Sequence, residues 1–210
     1  MNMKKAIAIL LVVLVAGVAF GAVDTVGGSG VDVVLKATVG GRLYHGFDAT
    51  GFTASPTAAQ IKDLGQSYSS TVSIDLLADE TKVIGHYNML TTGKTNVIVS
   101  FSAVALHSKI GNVDYYVPYK VTLDTANGAA DKVDVVGTPE IDLGIATGPS
   151  NTEITPAAVE FLQTSGAGRK WASYPVNVTI NKVKNEAFGL PETESGTEFT
   201  GTITAKFTSI

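Results

Sequence analysis

The sequence predicts an antiparallel all-β protein, a sandwich or a barrel, with one or two short helices. Eight or so short segments alternate apolar residues with others, which is the pattern of strands that have one buried and one solvated face. These segments are rich in β-branched residues and are separated by glycine, asparagine and proline, which favour turns. Strands do not alternate with helices, as a parallel sheet would require.

The N-terminus has the parts of a secretory signal peptide. Lys4 and Lys5 precede an apolar run over 6–20. This run is shorter than the roughly 20 residues that a membrane-spanning helix needs. Small residues at Ala19 and Gly21 predict cleavage after position 21. We therefore expect export through the secretory pathway to the periplasm, the cell surface or the extracellular space.

The rest of the chain is predicted to be one domain. Residues 1–21 form the predicted signal peptide, and residues 22–210 form the domain, which begins with a flexible lead over 22–30. Without Lys4 and Lys5, 13 of the 15 basic residues remain against 19 acidic ones. This negative balance argues against nucleic acid or an anionic membrane as a partner. No later segment could span a bilayer as a helix, and without cysteine no disulfide can form.

Strands and one helix are predicted in the first half of this domain. The alternating segment 31–39 is a strand that ends at a pair of glycines, and 42–47 is an ambiguous second strand. Ser55-Pro56 provides an N-cap residue and a proline for the first helical position, and predicts a helix over 57–64. Alternating apolar residues predict further strands over 72–76, 83–90 and 96–106, the second interrupted by Gly85.

The second half is predicted from the same alternation. The sequence YYVPYKVTL, residues 115–123, predicts one strand, with Pro118 at an edge, a bulge or an unpaired position. The sequence DTANGAAD, residues 124–131, predicts a hairpin turn. Residues 156–163 follow a threonine and favour a second short helix over a strand. Strands are also predicted over 140–145, 175–181 and 199–207.

No constellation of residues in the sequence indicates catalysis or a cofactor. His45, His86 and His107 have no metal-ligand spacing from one another or from a carboxylate cluster. The acidic turn over 124–131 departs from the spacing of a calcium loop, and calcium there is only a minor alternative. The sequence has no nucleophile elbow and no complete phosphate loop. We therefore expect no enzymatic activity, no metal and no cofactor.

Four aromatic residues are candidates for a ligand platform. Trp171, Tyr174, Tyr115 and Tyr119 could stack against a sugar, which makes surface glycans a possible class of partner. Aromatic residues at strand spacing more often pack in a core or across neighbouring strands. That packing is the alternative interpretation for each of the four.

Three stretches of the chain resemble the secreted sandwich subunits of the spore coat protein U and fimbrial pilin type. They are IGHYNMLTTGKTNVIVSFSAVAL, DYYVPYKVTL and the closing GTEFTGTITAKFTSI. The matching positions are Gly85 with Tyr87, Val97 to Phe101, Pro118-Tyr119 with Val121 and Leu123, and Gly196 with Phe199, Gly201 and Ile203. The resemblance covers the C-terminal two-thirds of the mature chain. Many members carry a disulfide near the first strand, whereas this chain has no cysteine.

The resemblance implies an immunoglobulin-like sandwich that assembles or adheres at the cell surface. The leading hypothesis is therefore an exported, non-enzymatic structural or adhesive subunit, which would pair with other protein subunits through strand edges. Of the candidate strands, 31–39 is predicted to pair within its own sheet and not to be donated to a neighbour. A carbohydrate- or ligand-binding sandwich module is the second hypothesis. A small outer-membrane barrel is the third, and it is disfavoured because several predicted strands are too short.

Overall fold

The protein is an all-β sandwich of two antiparallel sheets, as the sequence predicts. A computed structural model describes residues 42–57, 60, 68–70, 72, 74, 79–181 and 198–210. The strands are β1 (Arg42–Asp48), β2 (Glu80–Gly93), β3 (Val97–Ile110), β4 (Val113–Val117), β5 (Lys120–Leu123), β6 (Ala129–Asp131), β7 (Val133–Val135), β8 (Glu140–Asp142), β9 (Ala157–Thr164), β10 (Gly168–Ile180) and β11 (Thr200–Ser209). The first sheet has the order β1-β2-β10-β5-β8, with β6 also beside β10. The second has the order β11-β3-β9-β7, with β4 also beside β3.

Alternation places one face of each central strand in the core between the sheets. In β3, Val97, Val99 and Phe101 are buried, whereas Ser100 and its neighbours on the same face are partly exposed. The Phe101 ring stacks on that of Phe161 in the same sheet, with 4.5 Å between ring centroids. It also meets the edge of Tyr87 from the other sheet at 4.8 Å. These aromatic contacts join the two sheets at their centre.

The two longest strands of the first sheet, β2 and β10, are neighbours near its centre. They pair from Gly93 with Gly168 to Glu80 with Ile180. The register shifts beside Val176, where Ile84 is the extra residue of a β-bulge. The interruption predicted at Gly85 is therefore a bulge within one strand and not a break between two.

A loop covers the outer face of the first sheet next to β10. Phe52 packs there against Leu90 and Trp171 and forms a second, small apolar cluster. The Phe52 backbone N–H donates to the Ser173 hydroxyl at 2.8 Å, and Ser173 donates to Asn88 Oδ1 at 2.7 Å. Because these polar groups satisfy one another, the loop can bury them without a large desolvation penalty.

The predicted single strand over 115–123 is wrong, because the segment contains parts of two strands. Residues up to Val117 belong to β4 in the second sheet, and residues from Lys120 belong to β5 in the first. Pro118 and Tyr119 lie between them, where the chain passes from one sheet to the other. The predicted unpaired position of Pro118 is thus confirmed. Alternation did not reveal the crossing because apolar residues face the core on both sides of it.

The predicted hairpin turn over 124–131 is also wrong. β5 and β6 pair one after the other with the same side of β10, so the residues between them form a bulged loop. Asp124 Oδ1 accepts hydrogen bonds from the N–H groups of Ala126 and Asn127, each at 3.1 Å. Gly128 passes so close to the Tyr174 ring that a Cβ atom there would lie 2.0 Å from it. The loop therefore needs glycine at this point.

The helix predicted over 156–163 is a strand. β9 pairs with β3 on one side and with β7 on the other. The register with β3 shifts beside Val99, which leaves Phe161 as an extra residue and buries both Phe161 and Leu162. The bulge breaks the period of two that identifies a strand in sequence, so the apolar pattern looked helical.

Several predicted segments lie outside the described residues. They are the signal peptide over 1–21, the lead over 22–30 and the strand over 31–39. Only residues 57 and 60 are described from the predicted helix over 57–64, and only 72 and 74 from the predicted strand over 72–76. The ambiguous segment 42–47 is described and belongs to β1. Within the described part of the chain, no helix has the length and apolar character needed to cross a membrane.

Candidate functional site

An apolar cleft of about 250 Å³ opens between the sheets at one end of the sandwich. Both sheets contribute aliphatic side chains to its walls, and serine and threonine residues lie with them. The lining includes Ile84 and Val178 from the first sheet, Leu106, Thr202 and Ile203 from the second, and Tyr68, Ser69 and Tyr119 from connecting segments. A concave apolar site with few polar groups is the usual form of a binding site.

A strand edge bounds the cleft. β1 ends at Asp48, opposite His86 of β2. Beyond this point β2 continues beside β10 and contributes Ile84 and Gly85 to one wall of the cleft. On the opposite wall, β11 is an edge strand of the described part of the second sheet. Strand edges carry backbone donors and acceptors that an added strand can pair with.

Tyr68 packs against the β2 edge of the cleft. Its hydroxyl donates to the backbone carbonyl of Ile84 at 3.0 Å. Its ring lies so close to Gly85 that a Cβ atom there would be 2.7 Å from Tyr68 Cε1. Gly85, a position of the family resemblance, therefore allows the Tyr68 ring to approach the backbone at the bulge. In this position the ring forms part of the cleft wall.

Tyr119 is the one predicted platform residue that lines the cleft. It is 2 % exposed, and its hydroxyl donates to the carbonyl of Val104 at 2.8 Å and, more weakly, toward that of Thr202 at 3.4 Å. It thereby ties the crossing between the sheets to β3 and β11. Burial raises the pKa of Tyr119 well above its ordinary value, so the hydroxyl stays neutral. Its role in this position is structural.

Removing the Tyr119 hydroxyl should therefore cost stability. Tyr119→Phe leaves the carbonyl of Val104 without its donor, and we expect the free energy of unfolding to fall by about 1–2 kcal/mol. Tyr44→Phe is the matched control, because Tyr44 is only half-buried. Urea unfolding of both variants tests this role. Equal effects of the two substitutions would show that the Tyr119 hydroxyl contributes nothing particular.

The other predicted platform residues do not form a common exposed surface. Trp171 and Tyr174 are 8 % and 6 % exposed, and they pack in different apolar clusters. Tyr115 lies half-buried in β4. The alternative interpretation, that these aromatic residues pack in cores, therefore fits Trp171, Tyr174 and Tyr119.

The buried serine and the histidines that could act as a nucleophile or a base are engaged in internal contacts. Ser173 and His86 both approach Gly51, but the Ser173 hydroxyl is buried and donates to Asn88. His45 is buried beside Tyr87, and its Nδ1 lies 3.0 Å from the Tyr87 hydroxyl. His107 Nε2 contacts Asp114 at 2.9 Å on the surface. None of these contacts places a nucleophile beside a base in an accessible cleft.

The described residues also offer no metal site. No three His, Asp or Glu side chains among them are grouped closely enough to hold an ion. In the loop over 124–131, where calcium was the minor alternative, Asp124 accepts hydrogen bonds from its own loop through both carboxylate oxygens. The Asn127 side chain and backbone hold the pKa of Asp124 below its ordinary value. These bonds explain the acidic residue without a cation.

Sequence reasoning identified the strands around the cleft but not the cleft itself. Leu106, Val178 and Ile203 were each predicted to lie on strands. Whether such residues meet in a filled core or in an open end depends on strand order and length, which alternation does not report. Four positions of the family resemblance stand in the lining, namely Gly85, Tyr119, Gly201 and Ile203. The resemblance is thus the sequence signal that falls on this region.

Comparison with known proteins leaves the family resemblance as a prediction. No protein-family model, no curated protein and no solved structure matches the chain. The cleft, the strand edge beside it and the distribution of charge are the features of the molecule that bear on its function.

Proposed function

We propose that this chain is an exported, non-enzymatic structural or adhesive subunit of the cell surface. The observation that carries the proposal is the apolar cleft beside the edge of β11. An extended segment of a partner protein could add backbone hydrogen bonds at this edge and place apolar side chains against Leu106 and Ile203. Such a site suits attachment between proteins.

Two further observations support this proposal. Ser173 and His45, which are of the residue types that serve as nucleophile and base, are buried and held in internal contacts. The sequence begins with the pattern of a secretory signal peptide, which would carry the protein out of the cytoplasm. Both observations are consistent with a non-catalytic role at the cell surface.

The second candidate function is a ligand-binding module. The same cleft favours a module that binds a small apolar molecule. A volume of about 250 Å³ is slightly below the usual range of roughly 300–1,000 Å³ for ligand pockets. Its lining is mainly apolar, although serine and threonine residues and Glu198 also belong to it. It suits a small apolar molecule better than a sugar, because Trp171, Tyr174 and Tyr119 of the predicted sugar platform are buried. Native mass spectrometry of the purified protein distinguishes this candidate, since a bound small molecule would add a defined mass.

Blocking the cleft mouth should weaken attachment if the subunit proposal is right. Ser69→Trp places a large ring at an exposed residue of the cleft lining. Thr208→Trp, at an exposed position near the other end of β11, is the control. In cells that lack the wild-type gene, we expect wild type and the control to restore adhesion and surface labelling by antibody, and Ser69→Trp to restore neither fully. Restoration by all three would overturn the use of this cleft, and labelling only after permeabilisation would overturn the surface role.

A further inference from the structure

The charged residues of the sandwich are separated between its two ends. The cationic end contains the exposed side chains of Lys94, Lys132 and Arg169 and the buried Lys170, against Asp131 and Asp134. The acidic end, where the cleft opens, contains Asp79, Glu80, Asp114, Glu140, Asp142, Glu153 and Glu198, against Lys82, Lys109 and Lys120. β10 runs from one end to the other, and its length of 13 residues corresponds to about 40 Å. This distance is several Debye lengths at physiological salt.

The cations at this end form no ion pair with a carboxylate in the described structure. Lys132 Nζ donates to the carbonyl of Ala167 at 3.0 Å, and Lys170 Nζ donates to the carbonyl of Thr95 at 2.9 Å. The Arg169 guanidinium likewise donates to a backbone carbonyl. Burial and the nearby Lys132 charge lower the pKa of Lys170. Carbonyl partners orient these cations but leave their net charge in place.

The acidic end keeps an excess of negative charge in spite of local ion pairs. Lys82 pairs with Glu80 at 2.7 Å, and Lys120 pairs with Glu140 at 3.2 Å. Among the described residues, Asp142, Glu153 and Glu198 form no ion pair. Counted over the described residues, the two ends therefore carry net charges of opposite sign.

We propose that copies of this chain associate end to end, with the cationic end of one sandwich against the acidic end of the next. A second copy fits the charges better than a polyanion, because the mature chain is acidic overall and carries the complementary surface itself. Since the two surfaces lie at opposite ends, the contact is heterologous and does not close within a dimer. The inference rests on the proposed structural role, for which it names the partner.

Sedimentation of the purified mature chain tests the proposal. We expect association at about 20 mM NaCl that weakens at least about tenfold at 300 mM, because salt screens the charges. Lys94→Glu at the cationic end and Glu198→Lys at the acidic end should each weaken association by about fivefold or more. An equal mixture of the two variants should recover part of it, because the altered ends of the two variants attract each other.

Matched controls separate end contacts from net charge. Lys206→Glu and Glu160→Lys change the charge by the same amounts, but both positions are exposed and lie near the middle of the second sheet. They should leave association nearly unchanged, and circular dichroism should show all four variants folded. Equal effects at the middle and the ends, or a wild-type protein that stays monomeric at low salt, would overturn the proposal. Neither result would bear on surface exposure, which the antibody labelling decides separately.

Discussion

Replacing Phe101 with alanine should lower the free energy of unfolding by about 3–5 kcal/mol, a large part of the stability of a small domain. Phe101 has no exposed surface, and its ring contacts Phe161, Tyr87 and Phe47 at centroid distances of 4.5, 4.8 and 5.7 Å. Alanine would leave a cavity where the two sheets meet. Neighbouring strands cannot close this cavity easily, because their register is fixed by the ladder hydrogen bonds on both sides of β3.

The control for this prediction is Val104→Ala, three residues further along the same strand. Val104 is 42 % exposed and points away from the core, so we expect a change within about 0.5 kcal/mol. Chemical denaturation with a two-state fit measures both. A loss for Phe101→Ala as small as that of the control would mean that the core between the sheets is not centred on this ring.

Mild acid should destabilise the protein through His45, by about 2 kcal/mol between pH 6.5 and pH 5. The ring is 2 % exposed and lies 3.9 Å from the Phe207 ring, and Nε2 has no hydrogen-bond partner in the described structure. Burial lowers the pKa of His45 from 6.5 to about 3. Burial also raises the pKa of Tyr87, its hydrogen-bond partner, so that hydroxyl cannot supply a countercharge.

The sign of this effect follows from proton binding. Between pH 6.5 and about 3 the unfolded chain protonates His45 and the folded chain does not, so acid favours unfolding by about 1.4 kcal/mol per pH unit. Above pH 6.5 the residue is neutral in both states and contributes no slope. His45→Gln, which can still bond to Tyr87, should remove most of the slope above pH 5. His86→Gln is the control, and an unchanged slope in His45→Gln would contradict the assignment.

Much of the fold could be predicted from the sequence, because a strand with one buried face alternates apolar residues with other residues. β3 and β11 follow this pattern, and both were predicted within a few residues of their observed bounds. The prediction failed in two situations. In one, the apolar alternation continues although the strand ends; in the other, the strand continues although the alternation is broken. Apolar alternation continues through Pro118, although the chain changes sheets there. At Phe161 a bulge breaks the alternation, although the strand continues.

The site was less predictable than the fold. The aromatic residues chosen for a platform satisfy a compositional rule, but Trp171 packs beneath a loop carrying Phe52, a contact between residues that are distant in sequence. The separation of charge likewise depends on which turns share an end of the sandwich. Lys94, Lys132 and Arg169 are far apart in the chain, and only the strand order brings them to the same end.

The measurement that tests the central claim most directly is the N-terminus of the protein recovered from the surface of intact cells. Brief washing or limited surface proteolysis would release it, and mass spectrometry would identify its first residue. The account predicts a chain that begins at Ala22, since Ala19 and Gly21 mark the cleavage site. A chain that still begins at Met1 and is found only inside the cells would contradict export and, with it, the proposed role at the cell surface.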